Sequence, residues 1–123
     1  MANVINSFVI PVSNLDRTVK FYGEVFDYKS IEKINFAGFD MSFFPTTHGD
    51  LGDVLCKGDG YKPAQDGVVV YFNSKPNLTI PLAKVEAAGR EIILPKMIIN
   101  DEYGYMAIIL DTEGNKIALH SQK

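Results

Sequence analysis

Two histidines, one cysteine and a scatter of carboxylates are the conventional catalytic equipment of this chain. His48 lies in the turn-rich stretch PTTHGD and His120 near the C-terminus, where an imidazole could hold a divalent cation or carry a proton near neutral pH. A two-histidine metal site would need both to converge, and no H-E-x-x-H spacing forces that. His48 fits the surface better, and His120 is more simply read as a solvated or hydrogen-bonded residue. Cys56 lies in a predicted strand with no visible activating cation on its own face, so a buried, inert thiol suits it better than a nucleophile. Glu102, Tyr103 and Tyr105 precede the final pair of strands; a tyrosine offers one ring and one hydroxyl, which serves a small ligand or a core equally well. For acid–base catalysis only His120 and Tyr105 offer themselves. Phe39, Met41 and Phe43 alternate, so they share one strand face that could line a cavity or, more simply, a core. No phosphate-binding glycine loop, dinucleotide fingerprint or nucleophile elbow is present.

These residues must be held by regular elements. Residues 3–12 are β-branched and aromatic and predict a strand, with Pro11 at its end or on an edge. Ser13 or Asn14 can cap a helix whose stripe is Leu15, Val19, Tyr22 and Phe26, ending near Asp27. Residues 29–34, 39–44 and 51–57 predict three short strands, separated by a turn at 35–38 and a loop at 45–50. Turn residues fill the linker 58–67. The pattern then repeats. Residues 67–73 predict a strand buried on both faces. Leu82, Val85 and Ala88 line a helix that stops at Gly89, with Pro81 tolerated near its first turn. Residues 90–94 form a strand closed by Pro95, 98–103 a loop, and 105–111 and 116–121 a hairpin around TEGN. In that turn Gly114 can take a positive φ and Asp111 can cap through its side chain.

Leu15, Val19 and Tyr22 of the first helix correspond to Leu78, Leu82 and Val85 of the second, a repeat of pattern and not of identity. The expected fold class is therefore α+β, two paired βαβββ modules whose curled mixed sheets surround a cavity. Residues 1–123 make one domain, with module one at about 1–58, the linker at about 58–66 and module two at about 67–123.

Composition narrows the field of partners. A net charge of −3 with scattered Lys and Arg gives no basic face for nucleic acid and no polybasic run for a membrane surface. No apolar run approaches the length of a membrane span, and the N-terminus lacks the features of a signal peptide. A single cysteine precludes an intramolecular disulfide, which fits a cytoplasmic protein.

Three stretches resemble the vicinal oxygen chelate superfamily of glyoxalases, bleomycin-resistance proteins and dioxygenases. VIPVSNLDRTVKFYGEVF is similar to its first βα unit, YFNSKPNLTIPLAKVEAAG to its second helix region, and GYMAIILDTEGNKIALH to its C-terminal hairpin. They occur in the family's order and cover nearly the whole chain. The resemblance implies a cavity holding one divalent metal that chelates vicinal substrate oxygens as a Lewis acid. The family's ligands are His or Glu from the first and last strand of each module. Carried over, they fall on Ser7, on Val69, on Ala118 and near residues 52–54, where Asp53 is the only acidic residue. Ser, Val and Ala cannot supply imidazole or carboxylate ligands, so neither the metal site nor any other cofactor is expected.

The expectation is therefore a metal-free cavity that binds a small molecule, with Ser7, Phe43, Asp53, Val69, Tyr103, Tyr105, Ala118 and His120 as ligand-binding candidates. The alternatives are a divalent-metal lyase, isomerase or dioxygenase-like enzyme with an atypical site, and a non-catalytic regulatory module. A homodimer is expected, because such curled sheets leave helices and strand edges uncovered.

Overall fold

The computed structural model describes residue 5 and residues 7–27, 33–44 and 53–123. Along them the course strand, helix, three strands runs twice. Module one contains β1 (Val9–Pro11), α1 (Leu15–Phe26), β2 (Lys33–Phe36), β3 (Phe39–Phe43) and β4 (Val54–Lys57). Module two contains β5 (Tyr71–Asn73), α2 (Thr79–Ala87), β6 (Ile92–Asn100), β7 (Gly104–Leu110) and β8 (Lys116–Ser121). The sheet orders are β1-β4-β3-β2 and β5-β8-β7-β6. In each sheet the outer first strand runs parallel to the last, and the other neighbours are antiparallel. A parallel pair needs a long return path, which the helix and the two intervening strands provide. Both sheets are mixed, as the α+β reading requires.

Asn14 opens α1, its side chain accepting the Arg17 N–H at 3.1 Å, and Asp27 closes it in the left-handed region at φ 59°. Thr18, Phe21, Tyr22 and Val25 are the buried residues of the helix, while Leu15, Val19 and Phe26 of the expected stripe are half-buried beside them. The buried face is wider than a single stripe because α1 packs against its own sheet and against module two. Phe72 of β5 lies 4.7 Å from the Phe26 ring centre, 5.4 Å from Tyr22 and 5.8 Å from Phe44. One core therefore spans both modules, from Ile10 and Leu55 to Ile109 and Leu119.

Two carboxylates of module two also link the modules. The Tyr22 hydroxyl donates to Asp111 Oδ2 at 2.7 Å inside the core. The second is made by Glu113, whose side chain is fully buried. Glu113 Oε1 accepts from the Ser13 amide and hydroxyl, the Asn14 amide and Arg17, and Oε2 accepts from Arg17 Nε at 2.9 Å. Burial alone would raise the Glu113 carboxyl. The bonds from Arg17, Thr112, Asn14 and Ser13 outweigh it and hold that carboxyl well below the usual carboxylate range. The start of α1, rich in unpaired N–H groups, is thus closed by a carboxylate from the other module.

Several expectations are corrected. The strand placed at 67–73 is formed only over Tyr71–Asn73, and it is not buried on both faces: Val68 is 93% exposed and Tyr71 52%. β5 is an outer strand with one neighbour, so β-branched composition does not bring a second layer over it. The strand ending at Pro95 and the loop at 98–103 give way to one nine-residue strand, β6, running through the proline to Asn100. β6 is also an outer strand, where a missing donor costs no ladder bond, and its register shifts between Leu94 and Met97. Phe39, Met41 and Phe43 are half-buried and stand outside the core, which takes Phe44 instead. His48 lies outside the described residues. No helix among the described residues is long and apolar enough to cross a membrane.

Candidate functional site

The ladder registers superpose one module on the other. Val9 pairs with Val54 across β1 and β4, and Tyr71 with Ala118 across β5 and β8. Val54 is therefore the counterpart of Ala118, Val9 of Tyr71 and, two residues earlier, Ser7 of Val69. Residues paired across a ladder point to the same face, and neighbours along a strand point to opposite ones. The face of sheet two turned away from the core thus carries Tyr71, Asn73, Met106, Ile108, Ala118 and His120. The matching face of sheet one carries Val9, Ile34, Met41, Phe43, Val54 and Cys56.

The eight residues expected to bind a ligand divide between these places. Phe43 lies on the open face of sheet one, and Ala118 and His120 on that of sheet two, with Ser7 and Val69 half-buried just ahead of β1 and β5. Asp53 precedes Val54 and points the other way; its Oδ1 accepts the Phe8 N–H at 3.3 Å. Burial raises its carboxyl above the ordinary value, and the Phe8 bond offsets part of that rise. Tyr103 is exposed in the turn between β6 and β7, and its carbonyl oxygen accepts a hydrogen bond from His120 Nε2 at 2.5 Å. That bond selects the Nε2-protonated ring or the imidazolium. Tyr105 pairs with Ser121 and packs against the core, with Lys96 Nζ 4.7 Å from its ring centre. His120 and Tyr105 therefore lie on opposite faces of sheet two and do not meet.

Four further residues, Tyr71, Asn73, Met106 and Ile108, belong to the open face of sheet two and were not singled out from sequence. Asn73 lies directly beside His120, Tyr71 beside Ala118, and the Tyr71 hydroxyl reaches Met106 Sδ at 4.0 Å. Their signal was the alternation of Tyr71 and Asn73 around the apolar Phe72, concealed by reading the strand as doubly buried. The result is a wall with a phenol, an amide and an imidazole set in hydrocarbon. Such a wall can recognise a polar end and an apolar body in one molecule.

The four positions where a chelated metal would need donors, two in β4 and β8 and two just ahead of β1 and β5, hold Val54, Ala118, Ser7 and Val69: one hydroxyl and three hydrocarbon side chains. They do not fit a divalent ion, which wants imidazole or carboxylate groups at such places. Among the described residues no three His, Cys, Asp or Glu side chains converge. Cys56 is buried in β4, and burial, with the Asp40 charge adding to it, pushes its thiol pKa up and away from thiolate chemistry. At the seam between the modules a pocket of about 390 Å³ opens between β1 and residues 67–70. None of the eight candidates lines it.

Residues 4–119 match the family model described as the Glyoxalase/Bleomycin resistance protein/Dioxygenase superfamily. Among solved structures, the fosfomycin resistance protein FosX from Listeria monocytogenes, complexed with Mn(II) and sulfate, is similar. It has a TM-score of 0.66 and 15% identity over 100% of this chain and 95% of that one. A domain described as glyoxylase/bleomycin resistance protein/dioxygenase from Frankia sp. EAN1pec gives a TM-score of 0.65 and 19% identity over 99% and 94% of the chains. A glyoxalase I mutant from Zea mays gives 0.71 and 19%, over 97% of this chain and 45% of that one. No curated protein matches the chain. At these identities the structural likenesses establish the fold.

Proposed function

The chain belongs to the Glyoxalase/Bleomycin resistance protein/Dioxygenase superfamily, and from that membership we propose that it is a small-molecule-binding protein working without the chelated metal of the family's enzymes. One observation supports this reading above the others. The four positions that would grip the ion hold Ser7, Val54, Val69 and Ala118, which offer a single hydroxyl between them. A lone hydroxyl cannot hold a catalytic divalent cation against water. The ligand sits on the open face of sheet two. Its apolar body packs on Met106 and Ile108, and its polar end meets Tyr71, Asn73 and His120. A second copy of the chain covers the open faces, where Val9, Ile34, Phe36, Tyr71 and Met97 stand exposed at 39–64%.

Elemental analysis of the purified chain tests the reading, joined to thermal melts with Mn(II), Ni(II), Zn(II) and Fe(II). Less than a tenth of an equivalent of bound metal and unchanged melting temperatures are expected, since an ion binding only the folded state would raise them. Methylglyoxal with glutathione, and fosfomycin with Mn(II), should show no turnover. One tightly held equivalent of metal with turnover of either would overturn the proposal in favour of a metal-dependent enzyme. A monomeric mass at micromolar concentration would remove the second copy from it.

A further inference from the structure

β1 is the outer strand of sheet one, and the direction of its backbone groups has a chemical meaning. Phe8 O accepts the Val54 N–H at 3.0 Å, and the Val12 N–H donates to Cys56 O at 2.9 Å. The even-numbered residues therefore face β4, and the Val9 N–H and carbonyl face away from it with no ladder partner. Val9 also lines the seam pocket of about 390 Å³. Its walls are hydrocarbon from Phe8, Pro11, Val68, Val70 and Ile117, and its volume is at the small end for small-molecule sites. Lys62 and Lys116 also line it. Among the described residues the ion pairs are Arg17 with Glu113 and Lys33 with Asp16, so neither pocket lysine has a carboxylate partner. An apolar pocket carrying two unneutralised ammonium groups and an unused amide donor is complementary to one class of molecule.

We propose that this pocket binds a small amphipathic monoanion, a medium-chain carboxylate. Its hydrocarbon body lies against Phe8, Val68 and Val70, and its carboxylate sits between Lys62 and Lys116 in reach of the Val9 N–H. The site is separate from the open face of sheet two: Ser7, Val54, Val69 and Ala118 do not line it. The proposal therefore stands whether or not the metal-free reading does.

Decanoate titrated into the full chain at low salt provides the test, read by calorimetry and by backbone amide spectra. Decanoate should bind, with its largest amide shifts at Val9, Val70 and Ile117, and decan-1-ol should bind at least tenfold more weakly. The double variant Lys62→Met with Lys116→Met, checked by circular dichroism for an unchanged fold, should lose tenfold or more in affinity. Absence of heat and of amide shifts at millimolar decanoate would overturn the proposal. So would decan-1-ol binding within threefold of decanoate, or a double variant that binds decanoate as the parent does. Shifts centred on Tyr71, Asn73 and His120 would likewise overturn it and assign the acid to sheet two.

Discussion

In module one the helix supplies the order. α1 is 12 residues long and capped at both ends, whereas the strands around it run from 3 to 5 residues. In module two the sheet supplies it. β6, β7 and β8 run 9, 7 and 6 residues, while the 9-residue α2 has no side-chain cap on its first residue. It borrows acceptors instead: Ser121 Oγ takes the Leu78 N–H at 2.9 Å and Asn77 Oδ1 the Thr79 N–H at 2.9 Å. The open faces differ in the same sense. That of sheet one is hydrocarbon and one thiol, while that of sheet two sets Tyr71, Asn73 and His120 among apolar neighbours. One topology thus tolerates two sources of stability and two surface chemistries, because the shared core asks only for apolar volume at fixed positions.

The comparison breaks if the modules are independent. Phe72→Ala removes the ring that touches Phe8, Tyr22, Phe26 and Phe44 and should cost about 4 kcal/mol. Urea unfolding followed by fluorescence and by circular dichroism should still give one coincident transition. Two separate transitions would mean two cores.

Glu113→Ala sharpens the contrast between the helices. It strips the start of α1 of its borrowed carboxylate and leaves α2 untouched, at a cost of about 1.5 kcal/mol. The Glu113 pKa is lower folded than unfolded, so its contribution is complete above the ordinary value of 4.5 and declines as the pH falls from there toward the folded value. The stability gap between the parent and Glu113→Ala should therefore be flat near neutrality and narrow below about pH 4.5. A gap that stays constant down to pH 3 would contradict the assignment.

The smallest effect concerns the hairpins. Ala37 and Gly38 join β2 to β3 with φ of 53° and 85°, a pair of left-handed residues in which alanine is poorly placed. Ala37→Asn should stabilise the protein by about 0.5 kcal/mol, measured as a shift of the urea midpoint at constant slope. The corresponding turn of module two, between β6 and β7, already has Gly104 at φ 81°.

Local signals carried most of the fold into view. Asn14 is a polar cap ahead of an apolar stripe, Gly89 ends α2 at φ 74°, and the Asp111 turn closes its hairpin through its own carboxylate. What stayed hidden depends on neighbours distant in sequence. Pro95 looks like a strand terminator until β6 is known to be outermost, and residues 67–70 look buried until β5 is known to have one partner. The ladder registers match Ser7 to Val69, the two first-strand positions that the resemblance names. Within the stretch 52–54 no local signal singles out Val54, since only the pairing of β1 with β4 matches it to Ala118. Glu113 gave no signal at all, because its partners lie about a hundred residues away: |i−j| is 100 for Ser13 and 96 for Arg17.

Pro95 has one more effect. β6 is the longest strand among the described residues, sits at a sheet margin, and displays Ile93, Met97, Ile98 and Ile99. An uninterrupted margin of that kind would be a template for fibrillar growth, each chain adding to the last. An imino acid in its middle leaves a gap in the donor row and kinks the register beside it, so a foreign strand cannot zip along the whole length. The chain can expose this much aliphatic surface because the margin is chemically discontinuous.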